Sequence, residues 1–193
     1  MPKLTVTDLM PLEQYARERG DFRERVLRHK ATRRLAVGPS ATWIFEDRLT
    51  VQYQVQEMLR TERIFEPQGI AEELGAYNPL IPDGSNWKVT LLLEYEPEAR
   101  PAALARLKGV EGRCWVQVHG YERVFAIADE DLPRENAEKT AAVHFLRFEL
   151  SPAMAAALRT AAALAVGIDH EHYHHKIDPV STAVRDSLVA DLT

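Results

Sequence analysis

The sequence predicts an α+β fold, a largely antiparallel sheet of about five or six strands covered by helices. Three observations predict it. Apolar residues fill alternate positions over residues 87–95, and Leu146, Phe148 and Leu150 share one face of 143–150, as in half-buried strands. Apolar residues recur instead at helical spacing over residues 51–59. Helices and strands follow one another irregularly, and no glycine-rich phosphate turn follows a strand, which disfavours a doubly wound parallel sheet.

In chain order, Thr5-Val6-Thr7-Asp8 precedes a short helix, with Thr7 or Asp8 as N-cap and Pro11 in the first turn. A second helix is expected over about residues 22–34. It carries Arg23, Arg25, Arg28, Lys30, Arg33 and Arg34 against Glu24, and Gly38-Pro39-Ser40 breaks the pattern after it. ATWIF at residues 41–45 reads as a strand leading into a helix that spans residues 45–65. Val51, Val55, Met58 and Leu59 give that helix an apolar stripe. Thr50, Gln54, Glu57 and Thr61 recur at the same spacing as a polar stripe, with Tyr53, Arg60 and Glu46 within one turn of it. Glu46-Asp47 complements the helix N-terminus.

A short helix near residues 70–74 leads to YNPLIPDGSN at residues 77–86, whose prolines, glycine and asparagines specify a turn or an ordered loop. In the strand that follows, Trp87, Val89, Leu91, Leu93 and Tyr95 share one face, while Lys88, Thr90, Glu94 and Glu96 share the other. Residues 102–107 form a short helix ending at Gly109. Strands over 113–118 and 123–128 are joined through His119-Gly120-Tyr121-Glu122. Residues 129–138 are a polar connection, and VHFLRFEL at 143–150 is a strand. Ser151-Pro152 opens a helix to about residue 160, and residues 163–168 are the last strand. A polar tail from Asp169 ends in a short helix over about residues 179–189. The organisation expected is one domain over 1–193: N-terminal helices 1–40, a sheet core 41–168, and a His-rich tail with a short helix 169–193.

A net charge of −5 gives no argument for nucleic acid or anionic membrane. The single cysteine, Cys114, cannot form an internal disulfide, which fits a reducing compartment. The N-terminus has no apolar signal core. The longest apolar tract, AAALAVGI at 161–168, is far shorter than the roughly 20 residues of a membrane span. A cytoplasmic protein is expected.

Four features could carry chemistry, and each has a plainer reading beside it. Tyr53, Gln54, Glu57 and Arg60 could converge on a ligand, or could satisfy one another and a neighbouring loop by i,i+3 and i,i+4 pairing, which is the commoner case. His144 lies on a strand face with Leu146, Phe148 and Leu150; it is either a hydrogen-bonded core histidine, again the commoner case, or an imidazole presented to a pocket. Arg147 and Glu149 on the opposite face look like cross-strand partners. In DHEHYHHK, His170, His172 and His174 would share one face of a strand and could ligate a divalent metal such as zinc, nickel or iron. The spacing is not the His-Glu-x-x-His motif, and adventitious binding is the plainer reading. The basic segment over residues 23–34 lacks stacking aromatics apart from Phe22 and reads as a solvated face or a docking surface.

FEDRLTVQYQVQEMLRTERIF, YNPLIPDGSN and VHFLRFEL together resemble an uncharacterised bacterial family, number 3501 among the domains of unknown function. The resemblance runs from KLT near the N-terminus to the IDHEHY segment. It assigns no role to any residue. It implies a genomic setting beside rubrerythrin-like and iron–sulfur oxidoreductase genes, hence oxidative stress or electron transfer.

The leading expectation is therefore a cytoplasmic accessory or ligand- or metal-binding protein in a non-haem iron redox setting. Its partner would be a rubrerythrin-like or iron–sulfur oxidoreductase, its candidate cofactor a divalent metal, and its site Gln54, Glu57, Asn78 and His144. The alternatives are a structural or interaction module, such as a homodimer, and an enzyme. In the enzyme, Glu57 or His144 would be the general base, and Arg60 or Arg147 would hold a small anionic substrate.

Overall fold

The computed structural model describes residues 1–131, 134, 136 and 138–193. A 3-10 turn at Val6–Asp8 leads into α1 (Leu12–Lys30), then β1 (Arg34–Ala36), β2 (Ala41–Glu46), α2 (Arg48–Thr61) and α3 (Pro67–Tyr77). A further 3-10 turn, Asn78–Leu80, precedes β3 (Asn86–Leu93) and α4 (Arg100–Arg106). Then come the Glu111–Arg113 turn, β4 (Cys114–Val118), β5 (Val124–Phe125), β6 (Ile127–Ala128) and β7 (Val143–Glu149). The chain closes with α5 (Pro152–Arg159), β8 (Leu164–His170), β9 (Tyr173–Ile177) and α6 (Thr182–Val189). The α+β, antiparallel expectation holds, with the strands divided between two sheets. Five strands run in the order β1-β2-β3-β7-β6, four in the order β5-β4-β8-β9, and every pairing is antiparallel.

The alternation read from sequence sets the inner face of the larger sheet. Trp87 lies opposite Phe148, Val89 opposite Leu146 and Leu91 opposite His144, all buried. These residues join Val116, Val166 and Ile168 of the smaller sheet and Leu104, Leu158 and Leu188 of three helices in one apolar cluster. Inside it, Trp43 stacks on Phe148 with ring centroids 5.4 Å apart. The outer face is polar: Lys88 lies opposite Arg147 and Thr90 opposite Phe145. Helix α2 begins over that face. Asp47 caps it by accepting the Leu49 and Thr50 N–H groups, and Glu46 accepts the hydroxyls of Thr50 and Thr90. Val51, Val55 and Leu59 of α2 pack with Leu74 of α3 in a second cluster.

Several local expectations are corrected. The two N-terminal helices are one, because Gly20 sits in open space and costs the helix only its own low propensity, while Tyr15, Phe22 and Val26 supply the buried stripe. Phe45 and Glu46 end β2 instead of opening α2, since Asp47 is extended at φ −148° and caps the helix there. The segment 123–128 splits between the sheets, β5 pairing with β4 and β6 with β7. The His-rich tail is the edge strand β9, anchored by buried Tyr173, whose hydroxyl donates to the Val37 carbonyl. The polar connection expected over 129–138 includes Leu132, Pro133, Glu135 and Ala137, which lie outside the described residues.

Candidate ligand-binding cavity

Between α2 and α3 on one side and the outer face of the larger sheet on the other lies a cavity of about 320 Å³. Met58, Ala76, Tyr77, Pro79, Leu80, Phe145 and Leu146 give it an apolar lining. Six charged residues join them: Lys88, Arg134 and Arg147, and Glu73, Glu130 and Asp131. This size and an apolar lining with a few polar groups are the usual form of a small-molecule site.

Most of that charge is already matched. Both Arg147 Nε and Nη2 donate to Glu130, each at 2.8 Å, and Nη1 donates to Glu149 at 2.5 Å. These bonds hold the Glu130 carboxyl below its ordinary value. Arg134 pairs with Asp131 and lies over the Phe145 ring at 4.5 Å; its buried Nε sits 3.2 Å from Asp129 Oδ1, an ion pair without a hydrogen bond among the described residues. Two side chains remain. The Glu73 Oε2 atom is buried with no hydrogen-bond partner among the described residues. Among the described residues, no hydrogen bond or ion pair reaches the half-buried Lys88 ammonium. Burial, and then Arg147 beside it, pushes that ammonium below the ordinary lysine value.

His144 stands behind this wall. Asp129 occupies the left-handed region at φ 47°, a conformation that aspartate tolerates, and its carboxylate accepts the Phe145 N–H at 3.0 Å. Its other oxygen lies 2.6 Å from His144 Nδ1. His144 Nε2 lies 2.9 Å from Thr140 Oγ1 and 3.1 Å from the Ala141 carbonyl, and Glu111 Oε2, buried without a hydrogen bond, is 3.9 Å away. The imidazole is therefore fully buried and held at both nitrogens. It connects to the cavity through Asp129 and Arg134.

The structure does not gather the sequence-predicted residues at one point. Glu57 staples α1 to α2: Tyr15 Oη donates to it at 2.7 Å, and Arg19 donates through Nε at 2.7 Å and Nη2 at 2.8 Å. The Arg19 bonds, followed by the Tyr15 hydroxyl, hold its carboxyl down at about 2 against burial. Arg60 is exposed, with Nε 3.5 Å from Glu57. Tyr53 packs on Phe22 below the Lys30 ammonium. Gln54 is exposed, whereas its neighbour Gln56 is buried and bonds both backbone groups of Met10. Asn78 bonds both backbone groups of Leu4, at 2.8 and 2.9 Å.

The three histidines of the tail do not share a face. Glu171 and His172 form the turn between β8 and β9, so strand periodicity stops at His170. His170 Nε2 lies 3.0 Å from the Lys108 carbonyl, and His174 Nδ1 lies 2.8 Å from Asp169. Among the described residues no group of three or more His, Cys, Asp and Glu side chains is placed to hold a metal ion. No described helix is long and apolar enough to cross a membrane.

Lys88, on the polar face that the sequence assigns to its strand, lines the cavity, and so do Tyr77, Pro79 and Leu80 of YNPLIPDGSN, whereas Asn78 does not. Glu73 has no signal in the sequence: it follows Glu72 on a short helix, and only the packing around that helix turns one of the two toward the cavity.

The fold and the cavity together define a two-sheet α+β protein with a partly apolar cavity between its helices and the larger sheet. The chain belongs to the family described as "protein of unknown function (DUF3501)", whose model matches residues 3–192. It is similar to a crystal structure of a novel protein of unknown function from Burkholderia pseudomallei K96243, at 49% identity and a TM-score of 0.95, with 100% of both chains covered. No curated protein matches it.

Proposed function

We propose that the chain is a binding protein for a small molecule with an apolar body and an anionic group, held in the cavity between α2–α3 and the outer sheet face. The observation that carries the reading is Lys88, a half-buried cation in an apolar cavity with no partner among the described residues. An unmatched desolvated charge costs free energy, and a ligand carboxylate or phosphate would offset that cost. The reading keeps the binding role expected from sequence and moves its site from the α2 stripe to the cavity. The enzyme reading has less support, because Glu57 and His144 are both held by other side chains.

The reading is tested by titrating small monocarboxylates with aromatic or branched bodies into methyl-labelled protein. Binding is expected to move the Met58 and Leu80 methyl signals. Ala76, exposed on α3 and lining the cavity, supplies the control: Ala76→Trp should weaken binding about tenfold or more, ~1.4 kcal/mol. Perturbations that avoid these methyls, or that survive Ala76→Trp, would reject it. The cytoplasmic redox setting, with a rubrerythrin-like or iron–sulfur oxidoreductase partner, belongs to the same proposal. It rests on the family resemblance, and co-purification of such a partner with the tagged chain tests it.

A further inference from the structure

Resting on the cavity reading above, we infer that the ligand is amphoteric, an α-amino acid with an apolar side chain, whose carboxylate meets Lys88 and whose ammonium meets Glu73. The argument is one of charge matching inside a single cavity. Arg147 is taken by Glu130 and Glu149, and Arg134 by Asp131 and Asp129. Once these pairs are set aside, the lining holds one cation and one anion without ion-pair or hydrogen-bond partners among the described residues, Lys88 and Glu73.

The two do not answer each other, since no ion pair joins them. A protein that needed only to neutralise its own charges could have paired them across the cavity. Kept apart, they demand an acceptor at Lys88 and a donor at Glu73 from whatever lies between. A carboxylic acid alone would leave the Glu73 oxygen buried and unmatched, and an amine alone would leave Lys88 unmatched; either omission costs the full desolvation of the orphaned group. Met58, Tyr77, Leu80 and Phe145 line the same space and suit an apolar side chain. Sites built to hydrogen-bond a polar group discriminate strongly against analogues that lack it.

The test uses two side chains, each as three probes. L-phenylalanine is compared with 3-phenylpropionate and 2-phenylethylamine; L-leucine is compared with 4-methylpentanoate and 3-methylbutylamine. Calorimetry on the wild-type protein should find at least one amino acid about tenfold or more tighter than both of its truncated analogues. Glu73→Gln should close the gap between amino acid and carboxylic acid. Lys88→Met should close the gap between amino acid and amine. Equal affinity for an amino acid and its carboxylic acid would overturn this inference and leave the cavity reading standing. Gaps that persist in both variants would overturn it too, because the discrimination would then lie elsewhere. Absence of cavity binding by all six probes and by the wider carboxylate series would overturn the cavity reading with it.

Discussion

Glu57 is the residue through which α1 and α2 hold each other. Its two oxygens accept three hydrogen bonds from Tyr15 and Arg19, and these hold its carboxyl at about 2 instead of the ordinary 4.5. A carboxylate whose folded-state value is depressed adds stability that is complete above its unfolded value. That stability is lost as pH falls toward the folded one. Glu57→Gln should therefore cost about 1–2 kcal/mol at pH 7, discounted because Arg19 is more than a third exposed. The gap between variant and wild type should shrink between pH 4.5 and 2, as read by urea midpoints at each pH. A residue so committed to packing explains why the polar stripe of α2 looked like a site in the sequence. The stripe identified hydrogen-bonding capacity, and nothing in its spacing could say that α1 would use it. Lys88 and Glu73 show the converse. Each is an ordinary charged residue in its own segment, and each becomes notable only because other side chains claimed the available partners.

At the scale of elements, legibility followed burial pattern. Strands β3 and β7 read correctly to the face, because strict alternation has one interpretation when one side is core and the other is polar. Ser151 with Pro152 marked the start of α5, and the Ser151 hydroxyl accepts the Met154 N–H. Helix α1 misled through Gly20, and strand β9 through its polarity. Edge strands are exposed on one side, so YHHKI needs only Tyr173 buried to hold its place. The Gly20 reading has a direct consequence. Nothing lies within 4 Å of where a Cβ would stand, and the residue is mid-helix. Gly20→Ala should raise stability by about 0.5–1 kcal/mol, measured by chemical denaturation. A loss of stability would mean that the helix does not run through this position.

Across the whole molecule, the end of β2, the N-cap of α2 and the segment from Ser187 to Asp191 meet at Arg33. Its guanidinium is 2% exposed, pairs with Asp191, lies 3.5 Å from Asp47, and donates to the carbonyls of Phe45, Glu46 and Ser187. Asp47 in turn caps α2 and lies 2.5 Å from His29 Nε2. The last residue is fixed as well: the Thr193 N–H bonds the Gly84 carbonyl at 2.9 Å, at a glycine whose φ of 111° excludes other residues. Removing one partner of such a buried group leaves the others uncompensated. Arg33→Met should cost about 3–5 kcal/mol in denaturant unfolding, far more than a surface arginine. This knot holds the frame on which the cavity is carried, since Asp47 starts α2 and α2 supplies Met58.

On the proposed reading Lys88, unpaired among the described residues, is kept so for a ligand and not for the fold, and stability and binding should part company at this residue. Burial and Arg147 depress its folded-state value, against weaker support from Glu130 and Asp83. Below the lysine range the unpaired cation therefore works against folding. The measurement that separates the two is a paired one on Lys88→Met at pH 7: thermal stability, and carboxylate titration followed at the Met58 and Leu80 methyls. The variant should be at least as stable as wild type and should have lost carboxylate binding. A variant that is destabilised yet binds as tightly as wild type would contradict it.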